Sequence, residues 1–241
     1  MFQKRYALFI MLLPVWLLLC TGCNPILMKL AGVQEINSFD TLRYEKLLQQ
    51  MLDRYEGPQA HFVLQDVAIP RYATLFDSIL LNHAFQPLQM LFFDKGRLSS
   101  YQVNCMAKSS IFFNIDWNFN QRFDTYMPQS PADIHHETWN LESLLNKVEI
   151  KQDTSFYGHS EVVVFFWSTA FAKIAKNSQA FLADYLQRHT DASQRPLLLY
   201  LYTDAFFVQA YQQEDGRSWM KANLRPEELA KFNRRATNRN P

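Results

Sequence analysis

Glycine and cysteine are scarce in this chain, which has six glycines and three cysteines among 241 residues. The glycines are scattered, so no glycine-rich loop is there to cradle a phosphate. Three cysteines, Cys20, Cys23 and Cys105, are too few for the disulfide framework that staples small exported domains. Neither sign of charge is in excess, with 24 basic and 23 acidic residues. The electrostatic footprint of a nucleic-acid binder is therefore missing. No apolar run reaches the about 20 residues that a membrane-spanning helix needs. Internal repeats and low-complexity tracts are also lacking. What the chain has in quantity is apolar surface: 48% hydrophobic residues, including 20 phenylalanines. That is ample for the core of one large domain or two small ones.

The N-terminus carries a recognisable layout. Lys4 and Arg5 precede an uncharged run from Ala7 to Leu19, broken only by Pro14, and the small pair Thr21-Gly22 stands directly before Cys23. A short cationic region, an apolar stretch of about 13 residues and a small-residue cleavage site make the secretory pattern. The arrangement resembles a bacterial lipoprotein signal peptide, whose lipobox places a cysteine immediately after the cut. The position three before that cysteine is usually aliphatic; here it is Cys20, with Leu19 one earlier.

The resemblance implies a signal peptide over 1–22, lipidation of Cys23 on thiol and amine, and a lipidated tether over 23–37. Three acyl chains hold a protein at a bilayer durably, since each buried methylene contributes about 0.8 kcal/mol and one chain alone is marginal. Loss of Lys4 and Arg5 leaves 22 basic against 23 acidic residues, a formal charge of −1 on a mature chain of 219 residues. Cys105 is then the one thiol left. The expected address is the bacterial cell envelope, facing the periplasm, with the choice of membrane open.

Beyond the tether, Ser38 is placed to cap a helix whose apolar positions include Phe39, Leu42, Leu48 and Met51, and which Gly57-Pro58 ends. His61 to Leu64 reads as a strand, and Tyr72 to His83 as a second helix. Two apolar runs then flank Asp94-Lys95-Gly96, with glycine where a positive φ is wanted, which predicts a hairpin. Pro128 to Glu137 is turn-rich and polar, the best place for a boundary. A short helix is expected over Leu141 to Val148. Glu161 to Trp167 reads as a strand running straight into a helix that ends near His189, and Leu197 to Asp204 as a second buried strand. Pro226-Glu227-Glu228 opens a last helix, and 231–241 reads as a basic disordered tail.

Two of these segments resemble a thioredoxin domain. The hairpin, entered by Pro87 and turning at Phe93-Asp94-Lys95-Gly96, is similar to its distal half, where the matching proline is cis and lies beside the active site. The strand ending Phe165-Phe166-Trp167, with the helix and strand after it, is similar to its first half in the periplasmic thiol-oxidoreductase type. The two halves occur in inverted order. Where that family carries Cys-x-x-Cys, this chain has Ser168, Thr169, Ala170, Phe171, Ala172 and Lys173. Disulfide exchange needs an attacking thiolate and a resolving thiol, and this loop has neither. The resemblance implies an α/β, thioredoxin-like fold: a central mixed sheet flanked by helices, or two incomplete thioredoxin-like units. The expected divisions are a thioredoxin-like unit over 38–127 and a second α/β unit over 128–230 packed on it. Pro87, Trp167, Ser168 and Thr169 would form the binding loop.

Other chemistry-bearing residues each have a plain structural reading. Cys105 stands in Val103-Asn104-Cys105-Met106, where a lone cysteine reads as an inert buried hydrophobe, and thiolate activation would need a cation such as Lys108. His135-His136-Glu137 with His159 invites a metal, but adjacent ligands point apart on a helix or strand, so no metal is expected. Ser168 sits at a strand-to-helix turn without the glycines of a nucleophile elbow, and is the natural cap of the next helix. Phe113 to Asn120 alternates apolar and polar residues, as a strand with one aromatic face would, or as a recognition surface for peptide or glycan.

The functional expectation is a membrane-anchored, redox-inactive binding or scaffold module. Its partners are the lipid bilayer, through Cys23, and a peptide or envelope protein; it uses no cofactor and no nucleic acid. The alternative is a thiol-dependent redox enzyme using the lone Cys105.

Overall fold

The computed structural model describes residues 40–64, 88–104, 108–109, 115–129, 139–150, 156 and 158–204. The expected signal peptide, tether, second helix, last helix and tail lie outside these residues, as do Cys23, Pro87, Cys105 and His135-His136-Glu137.

The chain is α/β, with a five-stranded mixed sheet flanked by helices. Its strands are β1 (Gln59–Val63), β2 (Gln89–Asp94), β3 (Arg97–Val103), β6 (Glu161–Trp167) and β7 (Leu197–Tyr202), in the spatial order β1-β7-β6-β2-β3. β4 (Lys108–Ser109) and β5 (Ile115–Asp116) form a separate two-residue pair. β1, β7 and β6 run parallel, while β2 is antiparallel to both β6 and β3. Strands from both sides of the 128–137 segment thus share one sheet, with β2 bonded to β6 from Gln89↔Phe166 to Asp94↔Glu161.

The central strands are apolar because both of their faces are covered. Along β6, Val162, Val164 and Phe166 enter one core with Leu91, Phe93, Leu199 and the residues of α2 (Leu141–Lys147). Val163, Phe165 and Trp167 enter the other with Met90, Phe92, Leu198, Tyr200 and Tyr202. This second core is closed by α1 (Thr41–Leu52), α3 (Ala172–His189), Trp117 and Phe123.

Helix α1 begins at Thr41, two residues beyond the start that its sequence suggests. Its cap is Asp40, whose side chain accepts the Arg43 backbone N–H at 3.0 Å. The buried stripe is Tyr44, Leu48 and Met51, at spacings of four and three, whereas Leu42 is 80% exposed. Tyrosine wins the inward position because its ring packs on Trp167 and Tyr202. In α3, Ile174, Ala175, Ser178, Leu182, Tyr185 and Leu186 make the buried face, and Arg188 and His189 complement the dipole in the last turn. Among the described residues, no helix is long and apolar enough to cross a membrane.

The β2–β3 hairpin turns through Lys95 and Gly96, with φ of 48° and 75°. Positive φ at both central residues matches the right-handed twist of the strands it joins.

The alternating stretch at 113–120 departs from an extended strand in its described part. Only Ile115–Asp116 is extended, and Phe119–Gln121 is a 3₁₀ turn. The competitor is Asn118, whose side chain accepts the Phe123 backbone N–H at 2.8 Å and donates to Asp124 at 2.8 Å. Such local bonds replace a strand ladder. Trp117 is buried and donates from Nε1 to Ser178 Oγ at 3.0 Å, while Phe119 is 37% exposed.

Candidate functional site

In open α/β sheets, ligands bind beyond the carboxyl ends of the parallel strands. Here those ends are Trp167 on β6 and Tyr202 on β7, which are register partners. β2 enters the sheet beside them, since Gln89 pairs with Phe166. The residues that follow each strand, Ser168-Thr169 and Thr203-Asp204, are consequently neighbours.

Ser168 is extended, with φ −145° and ψ 142°, and its Oγ accepts the Ala170 N–H at 3.1 Å. It is the cap of the 3₁₀ turn Thr169–Phe171 that leads into α3. Thr169 makes the denser set of bonds. Its backbone N–H donates to both carboxylate oxygens of Asp204, each at 3.1 Å, and its hydroxyl donates to Asp204 Oδ2. The Tyr202 hydroxyl donates to the same oxygen. Thr203 closes the seam from the other side, donating its backbone N–H and its hydroxyl to the Trp167 carbonyl, each at 3.0 Å.

Asp204 and Ser168 are 0% exposed and Thr169 4%. A buried carboxylate is costly unless hydrogen-bonded, and Asp204 has donors from Thr169 and Tyr202. The nearest cation in the network is Arg43, which donates from Nη2 to the Thr169 carbonyl at 2.9 Å. The Thr169 residue is therefore gripped at its N–H by Asp204 and at its carbonyl by α1.

An aromatic layer backs this seam. The ring centroids of Trp167 and Tyr202 are 4.7 Å apart, those of Tyr44 and Tyr202 4.5 Å, and those of Tyr44 and Trp167 5.7 Å. The Tyr44 hydroxyl meets His61 Nδ1 at 3.3 Å. Burial pushes the Tyr202 hydroxyl above the ordinary tyrosine range, and the charge of Asp204 and its hydrogen bond push it further. Tyr44 is likewise raised, first by burial and then by Glu45. Trp167 Nε1 is buried without a hydrogen-bond partner among the described residues.

Chemically, the seam is a satisfied network. Ser168 and Thr169 are both buried, so neither hydroxyl is open to a substrate as a nucleophile. Its capacity is to hold the strand-to-helix turn in one shape, with Phe171 half-buried against the second core and Lys173 exposed.

Of the expected loop residues, Trp167, Ser168 and Thr169 come together; Pro87 lies outside the described residues. Sequence reasoning missed Asp204, Tyr202, Tyr44 and Arg43 as parts of the site. A carboxylate directly ending the otherwise apolar run Leu197 to Thr203 was the available signal. Among the described residues, no group of three or more His, Cys, Asp or Glu side chains could hold a metal. No protein-family model matches this chain, and neither a curated protein nor a solved structure matches it.

Proposed function

We propose that this chain is a lipid-anchored envelope protein with a thioredoxin-like frame, redox-inactive at its strand-to-helix turn, that serves as a binding or scaffold module. The frame is supported by adjacency. The two segments that resemble the halves of a thioredoxin domain are hydrogen-bonded neighbours, β2 to β6, with the carboxyl end of β6 beside the start of β2. The inverted order of those segments along the chain is compatible with one sheet, because strand pairing depends on spatial order and not on sequence order.

The observation that carries the functional reading is the turn at Ser168 to Lys173. In place of thiols it has Ser168 and Thr169, both buried, and Thr169 is locked to Asp204. A turn built this way keeps a fixed surface and exchanges no electrons. Anchoring at Cys23 follows from the Leu19 to Cys23 pattern.

The test has two arms. Radiolabelled palmitate is expected in the wild type, with the protein in the membrane fraction, and Cys23→Ser is expected to carry no label and to leave that fraction. Label retained by Cys23→Ser overturns the anchor. Insulin reduction is expected to stay at background for the purified protein; turnover that disappears in Cys105→Ser would overturn redox inactivity.

A further inference from the structure

A groove of about 380 Å³ runs between the carboxyl-terminal half of α3 and the loop at 116–124. Its loop wall includes Asn118 and Asp124, and its helix wall Phe181, Tyr185 and Arg188, spaced four and three apart on one face of α3. Asp124 and Arg188 have opposite charges and line the same groove, yet they form no ion pair with each other. The volume falls within the range of small-molecule sites.

The loop is organised to hold Asp124 in place. Asn118 donates its backbone N–H to Asp116 Oδ1 at 3.1 Å, accepts the Phe123 N–H on Oδ1 at 2.8 Å and donates from Nδ2 to Asp124 Oδ1 at 2.8 Å. Trp117 fastens the loop to α3 through Ser178. Two consecutive residues, Asn120 and Gln121, take φ of 63° and 59°, a left-handed conformation that asparagine tolerates and that costs glutamine about 1–2 kcal/mol. The cross-bracing offsets that strain. Oδ2 of Asp124 is left out of this bracing.

Chemistry selects the ligand class. The carboxyl end of α3 has partial negative charge, which Arg188 and His189 already complement, so an added anion gains little there. A cation drawn to Asp124 would meet those same two side chains. A neutral hydroxyl is the group that donates to a carboxylate and accepts from a guanidinium at once. Two adjacent hydroxyls on a ring can engage both walls while the C–H face of that ring packs on an aromatic face such as that of the half-buried Phe181. We propose that this groove binds a neutral sugar through adjacent hydroxyls held between Asp124 and Arg188. The site is separate from the Ser168 turn and does not depend on lipid anchoring.

The test is an NMR titration of the full chain in a non-glycosidic detergent, read at the indole N–H signals, where Trp117 reports on the loop. The probes are methyl α-D-glucopyranoside, methyl α-D-mannopyranoside, methyl β-D-galactopyranoside and N-acetylglucosamine. At least one is expected to give saturable shifts at the Trp117 indole. Arg188→Gln, at an exposed position, and Asp124→Ala are each expected to weaken that response tenfold or more while the other indole signals keep their positions. Absence of saturation by all four sugars overturns the proposal. So does equal affinity in both variants, or saturation by glycylglycine in place of the sugars.

Discussion

Asp204, two residues past the end of β7 at Tyr202, accepts the backbone N–H of Thr169 with both carboxylate oxygens, each at 3.1 Å. The pair lies 35 positions apart in sequence and joins the two parallel strand ends that bracket α3. Asp204→Ala would leave the Thr169 N–H, the Thr169 hydroxyl and the Tyr202 hydroxyl in a buried site without their acceptor. An orphaned buried group costs about 1–3 kcal/mol, and partial relaxation should bring the total to about 3–5 kcal/mol. Tyr202→Phe removes one donor and keeps the rest, so about 1–2 kcal/mol is expected. Urea unfolding of both variants checks the ranking. If Asp204→Ala unfolds at the wild-type midpoint, the seam is not a stabilising lock.

Alkaline stability should fall early in this protein. Tyr44, Tyr55, Tyr126, Tyr185, Tyr200 and Tyr202 all have folded-state pKa values above the usual tyrosine value, with burial as the first cause in each. The unfolded chain releases these protons near pH 10, while the folded chain still holds them. Above that pH the unfolded state binds fewer protons, so unfolding free energy decreases as pH rises. The contribution is fully present below about pH 10 and is lost as pH climbs toward the folded values. The expected observation is a melting temperature that is flat from pH 8 to about 9.5 and then drops steeply. Replacing Tyr200 and Tyr202 by Phe should make that drop shallower.

The hairpin turn offers a substitution in the stabilising direction. Lys95 occupies φ 48°, which asparagine tolerates better than lysine, and Gly96 follows at 75°. Lys95→Asn creates the Asn-Gly pair favoured in two-residue turns and is expected to raise stability by about 0.5 kcal/mol, within the range for compatible turn changes. Gly96→Ala meets no atom within 4 Å, so its cost is conformational alone, about 1–2 kcal/mol. Paired thermal melts measure both; a Gly96→Ala variant as stable as wild type would contradict the turn geometry.

Gly57 is small for a different reason. A Cβ there would come within 2.5 Å of the Tyr55 ring end, and that hydroxyl is fixed to the Pro196 carbonyl at 2.6 Å in a buried position. Gly57→Ala should therefore cost about 1–3 kcal/mol through overpacking. In a Tyr55→Leu background the obstructing atoms are gone, and the same substitution should cost less than about 1 kcal/mol. A double-mutant cycle by chemical denaturation reads the coupling; additive effects would place the strain elsewhere.

Much of the local structure was legible because it follows from side-chain period. Glu161 to Trp167 and Leu197 to Asp204 read as buried strands since both faces of a central strand are covered, and the second strand ends at Tyr202. Asp94-Lys95-Gly96 read as a turn since its glycine meets a demand for positive φ. Leu42 misled, because a one-dimensional stripe does not record that Tyr44 has aromatic partners on the sheet. The 113–120 stretch misled as well: alternation predicts a strand only when the side chains do not bond their own backbone, and Asn118 does. The site was half legible. Trp167, Ser168 and Thr169 follow from the strand-to-helix transition, but Asp204 joins them only through the parallel register of β6 and β7.

The sequence by itself determined the elements: a β-α-β segment, a tight hairpin, and a turn without thiols where the thioredoxin resemblance calls for them. These are short-range properties, set by which side chains alternate, cap or tolerate a left-handed backbone. Only the tertiary structure decided that the segments on both sides of residue 128 share one sheet, that Asp204 meets Thr169 in the seam, and that Asp124 and Arg188 line one groove without pairing with each other. Those are long-range juxtapositions, and pairing across tens of residues is chosen by the burial of whole faces, which no local pattern encodes.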